Sequence, residues 1–307
     1  MRLSPADIRA LIVFRALVDH AGFMGAQLAL GMSQSTVSFH LKSLEERLGF
    51  ELCKRGRRGF ELTERGRAVY DASKPLVASL SHFEGSLGAL RHQLIGTLRV
   101  GVVDNTITDE NLSLPAVIGS CLRQSPDVEI LLTVDTPEVL FAELANGGVD
   151  VAITPKVDTV AGFEQTLFHE ERHSLYCGNR HPLFDADPTA ADVEASDFVV
   201  RPYASSRELV HFSGVRVRAR ASNMEAQAAF VLSGELLGYL PEHFAHHWVV
   251  RGLMRPILSP ATRIVSPFVA VTNSGGDYSP LQRFFLRQLL RKGSLGQGKN
   301  ASPPKAD

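Results

Sequence analysis

Cysteine and tryptophan are scarce in this chain: three cysteines and one tryptophan among 307 residues. Cys53, Cys121 and Cys177 are odd in number, far apart and outside any metal-ligand spacing. They exclude a disulfide framework and a cysteine-based zinc site, and buried thiols in a reducing cytoplasm are the expectation. Long apolar runs are missing as well. Arg9 and Arg15 interrupt "MRLSPADIRALIVFRALV", which excludes a signal-peptide core, and no stretch reaches the roughly 18 apolar residues of a membrane span. Catalytic signatures are absent too: no Gly-x-Ser-x-Gly elbow, no phosphate loop, no Gly-x-Gly-x-x-Gly. His243 and His247 stand four apart in "HFAHHW" and could hold a metal between them, but without a third ligand at metal spacing they read first as a solvated helix face. The expectation is a protein with no resident metal or cofactor and no catalytic residue.

Neither sign of charge is in excess, with 32 Lys plus Arg against 33 Asp plus Glu, but the distribution is uneven. Residues 1–95 hold 13 basic and 9 acidic residues, net +4, and the remainder is net −5. The amino-terminal third is therefore the part suited to a polyanion. A chain of this length exceeds what one core usually organises, so two or three packing units are expected.

Ile8, Leu11, Ile12, Phe14, Arg15 and Val18 mark an amphipathic helix, and a second runs from about Met24 to Leu30. Gly31 is placed to end the second, Ser33 to cap a third, and Gly49 to close it. The sequence "ELCKRGRRGFELT" then supplies a strand through Leu52, a basic Gly-rich tip and a returning strand through Leu62. Together these make a helix-turn-helix with a wing. At about 100° per residue, Val37, Leu41, Leu44 and Leu48 share one side of the third helix. Ser35, Phe39, Lys42 and Glu46 fall on the other, so Phe39 has no core to enter. It serves either as a surface or protein-contact residue or as an apolar contact to a thymine methyl in the major groove. Gln34 can pair with adenine, while Ser33, Ser35, Thr36 and Ser38 suit base edges or phosphate, and Lys42 suits the backbone. In the wing, Lys54, Arg55, Arg57 and Arg58 read as a solvated turn or as backbone and minor-groove contacts.

From Thr63 the apolar residues Val69, Ala72, Leu76, Leu80, Phe83, Leu87, Leu90 and Leu94 recur in steps of three and four. That seam predicts a long dimerisation helix, about 45 Å at 1.5 Å per residue, with a bend or break near Lys74 because of Pro75. After Gly96, the short apolar runs "TLRVGVV", "VEILLTV", "VDVAIT", "HSLYCG" and "DFVVRP" read as strands covered on both faces. Helices are expected at 115–123, 137–145, 223–232, 241–249 and 280–290, giving an α/β region large enough for two lobes. The tail from Gly293 is polar and rich in Gly and Pro and is expected to be disordered.

"SQSTVSFHLKSLEERLG", "ELCKRGRRGFELTERG", the long helix and "GTLRVGVVD" together resemble the LysR-type bacterial transcriptional regulators. So do "LANGGVDVAIT", "YCGNRHPLF", "NMEAQAAFVLSGELLGYLP" and "SPLQRFFLRQLL", in that order, over nearly the whole chain. The resemblance implies a winged helix-turn-helix at 1–62, a linker helix at 63–95 and a two-lobed α/β effector domain at 96–292, similar to periplasmic solute-binding proteins. Lobe I would comprise about 96–165 and 268–292, lobe II about 166–267, followed by the tail at 293–307. It further implies homodimers that pair into tetramers, binding to double-stranded promoter DNA, a small-molecule effector, and RNA polymerase as a candidate partner. The family's base-reading positions fall on Gln34, Ser35, Ser38 and Phe39, and its wing arginine on Arg58. Phe39 stands where many members carry arginine or another polar residue, and Gln27 where they carry alanine. The effector cleft would take Asp104, Asn105, Thr106 and Thr108 after the first strand, Thr136 after the second and Thr154 after the third. Arg201, Tyr203 and Asn223 would face them. Thr136 and Asn223 serve equally well as helix caps. Arg201 and helix amino termini suit an anion, so the expected effector is a small organic acid. Two other readings stay open: a DNA-binding structural protein that needs no ligand, and an α/β enzyme fused to a DNA-binding domain.

Overall fold

The computed structural model describes residues 3–56, 59–90, 93–158 and 160–293, with side chains described at all of these except 55, 56, 59 and 89. The expectations for Arg57, Arg58, the Arg55 side chain and the tail beyond Gly293 lie outside the described residues. The chain divides into two compact units: Met1–Glu84 with Ala145–Gly148, and Gly85–Leu144 with Val149–Asp307.

In the first unit, α1 (Pro5–Asp19), α2 (Phe23–Leu30) and α3 (Gln34–Leu48) precede a hairpin of β1 (Cys53–Gly56) and β2 (Gly59–Leu62). Local sequence sets each helix end. Ser4 and Asp7 form a reciprocal capping box on α1. Gly31 and Gly49 take left-handed conformations that end α2 and α3. Leu11, Phe14, Leu17, Val37, Leu41, Leu44 and Leu52 share one core. Asp7 ties α1 to α3 through Arg47 Nε at 2.9 Å. Glu45 Oε1 reaches past the end of α3 to accept the buried amide of Leu52 at 2.7 Å and that of Cys53 at 3.4 Å. Leu52, expected inside the first wing strand, instead precedes it and fills the core.

α4 runs unbroken from Glu64 to Leu90 with Pro75 inside. Of the bend or break expected near Lys74, the break does not occur. A proline removes one intrahelical bond, and two serine hydroxyls bond back to helix carbonyls on either side of it. Ser73 Oγ donates to the Tyr70 carbonyl at 2.6 Å, and Ser79 Oγ donates to the Pro75 carbonyl at 2.9 Å. Lys74, itself buried, pairs with Asp71 at 3.2 Å.

The second unit is built on β3 (Gly96–Val102), β4 (Val128–Val134), β5 (Val151–Pro155), β6 (Phe163–Gly178), β7 (Asp197–Val200), β8 (Arg216–Arg220), β9 (Gly238–Pro241), β10 (Met254–Ile257) and β11 (Ile264–Asn273). Its helices are α5 (Leu114–Leu122), α6 (Pro137–Ala145), α7 (Ala190–Glu194), α8 (Ser205–Glu208), α9 (Met224–Leu232), α10 (Glu242–Val249) and α11 (Pro280–Lys292). A seven-stranded sheet has the order β10-β6-β11-β5-β3-β4, with β9 also pairing β6. β3 runs parallel to β4 and β5, whereas β6 and β11 are antiparallel. One lobe packs β3, β5, α5, α6 and α11 around Val100, Leu140, Ile153, Phe268 and Phe285. The other gathers Val199, Met224, Val231 and Leu240 in one cluster and Leu175, Phe198 and Tyr239 in another. The long strands β6 and β11 run through both lobes.

β4 departs from the expectation of strands covered on both faces. It lies at the open edge of the sheet, and Leu131, Leu132 and Val134 are exposed. An apolar run reads the same whether this chain covers it or leaves it bare.

Candidate functional site

The amino-terminal end of α3 presents a polar cluster. Ser33 Oγ accepts from Thr36 N at 3.2 Å and lies 2.8 Å from both Ser35 Oγ and Thr36 Oγ1. Gln34, Ser35 and Thr36 are exposed, and Ser38 is half-buried. Val37, Leu41 and Leu44 are buried while Phe39 is 68% exposed, its ring edge-on to His40. Lys42 is exposed and pairs with Glu46 at 3.6 Å, an (i, i+4) contact of the weak surface kind. The helix thus offers free amides, three small hydroxyl residues, one amide side chain and one aromatic ring on its outward side.

Between the two lobes of the second unit lies a cleft of about 800 Å³, including its solvent-open mouth. Val103, Pro137, Pro155, Met224, Ile264 and Phe268 give it apolar walls. Its charged lining is mixed, and most of the charges are already engaged. Arg201 is buried, with Nε 2.8 Å from Glu208 Oε1, its backbone amide donating to Glu208 Oε2 at 2.9 Å, and NH1 donating to Tyr203 OH at 3.0 Å. Asp104 Oδ2 accepts the Met224 amide at 2.5 Å, linking the loop after β3 to the start of α9. Glu171 is held by His173 and His243. Burial pushes the Glu171 carboxyl up, and the two histidines more than offset this, holding it well below the ordinary range.

Four lining charges have no ion pair among the described residues: Asp104, Glu138, Lys156 and Arg207. Arg207 NH1 donates to Ser266 Oγ at 2.8 Å and NH2 to the Lys156 carbonyl at 3.3 Å. Burial, then the charge of Arg201, lowers the Arg207 pKa. Asn105, in the left-handed conformation at φ 67°, also lines the cleft, and its buried Nδ2 has no hydrogen-bond partner among the described residues.

Two family models match this sequence: "LysR substrate binding domain" over residues 91–294, and "Bacterial regulatory helix-turn-helix protein, lysR family" over residues 8–67. The chain belongs to the LysR family of bacterial transcriptional regulators. It is 34% identical to the HTH-type transcriptional activator BauR of Pseudomonas aeruginosa, over 89% of this chain and 91% of that protein. It is 23% identical to the regulator CbbR of Xanthobacter flavus, over 94% and 88%. Among solved structures, full-length OxyR from Pseudomonas aeruginosa, in a cysteine-to-aspartate variant, superposes with a TM-score of 0.63 at 18% identity, covering 99% of this chain and 100% of that one. The regulator CbnR gives 0.62 at 19%, covering 94% and 99%. CbnR has also been solved in complex with its target DNA, and that chain gives 0.53 at 22%, covering 94% and 99%. The LysR-type protein is thus a DNA-binding transcriptional regulator that responds to a ligand.

Within this LysR-type chain, the residues expected to form the effector site are only partly gathered. Asp104, Asn105, Arg201 and Tyr203 line the cleft; Thr106, Thr108, Thr136, Thr154 and Asn223 do not. Thr106 is buried, and Thr154 is buried on β5 with its hydroxyl turned back to the Pro155 carbonyl. Asn223 acts as the cap of α9, accepting the Ala226 amide at 2.8 Å. Thr136 receives the Leu140 amide on its carbonyl at the start of α6. Thr108 contacts His243 instead. The expectation missed Lys156, Glu171, His173, Ser206, Arg207, Glu208 and Ser266. Arg207 stood six residues beyond Arg201, but nothing in the sequence told which arginine Glu208 would take.

Proposed function

We propose that this LysR-type regulator senses a small organic acid in the interlobe cleft and, through it, controls binding to promoter DNA. Arg207 carries the reading. A half-buried cation with no carboxylate within ion-pair distance among the described residues, met only at longer range by Glu171 and Glu208 and set beside a second arginine, is stabilised by an anion arriving between the lobes. Lys156 adds positive charge at the mouth, the orphan Asn105 Nδ2 supplies a donor, and the apolar walls suit a short carbon skeleton. Arg201, first expected to bind the acid, serves as a rigid neighbour because Glu208 occupies it.

Ser33, Gln34, Ser35, Thr36, Ser38, Phe39 and Lys42 form the proposed DNA contact, with Arg55, Arg57 and Arg58 of the wing on the backbone or minor groove. Self-association is proposed along α4, whose seam leaves Phe83, Leu87 and Leu90 exposed in the single chain. That gives dimers of paired winged domains and, through them, tetramers, acting in the cytoplasm with RNA polymerase as a further partner. A ligand shifts such an assembly only if it prefers one lobe arrangement.

The test is a calorimetric titration of the full chain with a panel of mono- and dicarboxylic acids, and with amines of matching size. The reading expects an acid to bind, and Arg207→Gln to weaken it by about 2 kcal/mol, roughly 30-fold. Binding confined to cations, or an acid whose affinity ignores Arg207→Gln, would refute it.

A further inference from the structure

Beside the cleft, three histidines and two carboxylates converge from three parts of the second unit. β6 carries His169, Glu171 and His173 at alternate positions, hence on one face of the strand. The turn after β3 supplies Thr108 and Asp109, and α10 supplies His243. His243 Nε2 lies 2.9 Å from Glu171 Oε1 and 3.6 Å from Asp109 Oδ2. The donor atoms of Asp109, Glu171 and His243 all fall within 4.8 Å of one another.

The placement of His243 limits what can sit among these atoms. Its Nδ1 lies 2.8 Å from Thr108 Oγ1, which holds the ring from the side away from the two carboxylates and turns Nε2 towards them. A ring nitrogen and two carboxylate oxygens thus converge on one point, an arrangement that a cation between them satisfies. Bonds of about 2.0–2.1 Å in a tetrahedral site place ligand atoms about 3.3 Å apart, and the two observed separations fall on either side of that value.

The surroundings fit the same purpose. Asp109 Oδ1 accepts the Asn111 and Leu112 amides at 2.9 and 3.3 Å, while His169 Nε2 stands 2.5 Å from Oδ2. His173 Nε2 stands 2.6 Å from Glu171 Oε2, leaving Oε1 turned to His243. Each carboxylate is thereby oriented from outside, as metal-binding carboxylates are. Both are buried, and a divalent ion would balance their two charges.

We propose that Asp109, Glu171 and His243 form a binding site for a first-row divalent cation of the zinc or manganese type. A nitrogen ligand beside two oxygens disfavours magnesium and calcium. The ion would join the turn of one lobe to α10 of the other, across the strand that runs through both. Glu171 also lines the cleft, so an open coordination position there would border the effector. The site stands whether or not the effector is an acid.

The experiment uses the full chain, freed of metal with a chelator and titrated with Zn2+ by calorimetry. Co2+ quenching of Trp248, the single tryptophan and five residues along α10 from His243, gives a second readout. One ion per chain is expected, with affinity falling at least tenfold in His243→Gln and in Asp109→Asn, and no displacement by excess Mg2+. His247 is exposed and bonds Arg251, so His247→Gln should keep both the affinity and the quenching. If circular dichroism shows that the cluster variants fail to fold, the wild type and His247→Gln decide alone. Tight binding and quenching in both support the site. No binding at millimolar Zn2+, as expected of an imidazolium with a proton on Nε2, overturns it, and so does loss of binding in His247→Gln.

Discussion

Replacing Phe39 by alanine should separate recognition of a sequence from attraction to DNA in general. A phenylalanine can bury about 150–250 Å², and with 68% of Phe39 accessible, roughly 130 Å² is free to be covered. Covering half of that against a thymine methyl at about 25 cal/mol per Å² gives about 1.6 kcal/mol for each recognition helix engaged. Operator affinity should therefore fall about 15-fold per helix in a fluorescence-anisotropy titration. Random DNA of the same length should be bound as before, and the slope of log affinity against log salt should not change, because no charge is removed. Thermal stability should stay within about 0.5 kcal/mol of the wild type, since the ring rests on no core. Equal losses on both DNAs, or a clear fall in melting temperature, would refute the assignment and make Phe39 a protein-contact or folding residue.

Glu45→Ala should destabilise the winged domain by about 1–3 kcal/mol, because it leaves the buried Leu52 amide without its acceptor, whereas Glu45→Gln keeps one; urea melts compare the two. Asp197 gives a pH-dependent prediction. Hydrogen bonds from Arg216 and Arg218 hold its pKa at about 2, below the ordinary value, so its stabilising effect is complete above about pH 4 and disappears as pH falls through about 2. The gap in urea midpoint between wild type and Asp197→Asn should therefore be constant from neutral pH to about 4 and then close. Cys121, its thiol pushed up to about 11 by burial, should resist alkylation in the native chain together with buried Cys53 and Cys177, and all three should react once urea unfolds it.

The helix-turn-helix was legible because local chemistry decides it. Ser33, Gly31 and Gly49 act within one turn of where they stand, and a 3.6-residue period separates Val37, Leu41 and Leu44 from Phe39 without reference to any other element. The cleft was legible only at its entrance. Asp104 and Asn105 follow a strand that apolar patterning could locate, but whether Arg201 or Arg207 stays unpaired depends on how α8 turns Glu208 back. The histidine and carboxylate cluster was beyond reach, since Asp109, Glu171 and His243 lie more than sixty residues apart from one another and meet only when β6 and α10 pack. β11 was hidden for a different reason: Pro267 interrupts "IVSPFVAVTN", yet the strand runs through it between two partners. Pro75 likewise suggested a bend or break near Lys74, and the helix does not break there.

The proposed ligand control of DNA binding has Arg207 read an acid and the lobes transmit it. Footprints on the promoter, taken with and without the acid selected by titration, probe both steps at once. The wild-type footprint should change in length or in the protein concentration needed to form it, while Arg207→Gln should give the ligand-free pattern at every acid concentration used. A wild-type footprint that ignores every acid it binds, or an Arg207→Gln footprint that still responds as the wild type does, would contradict this account.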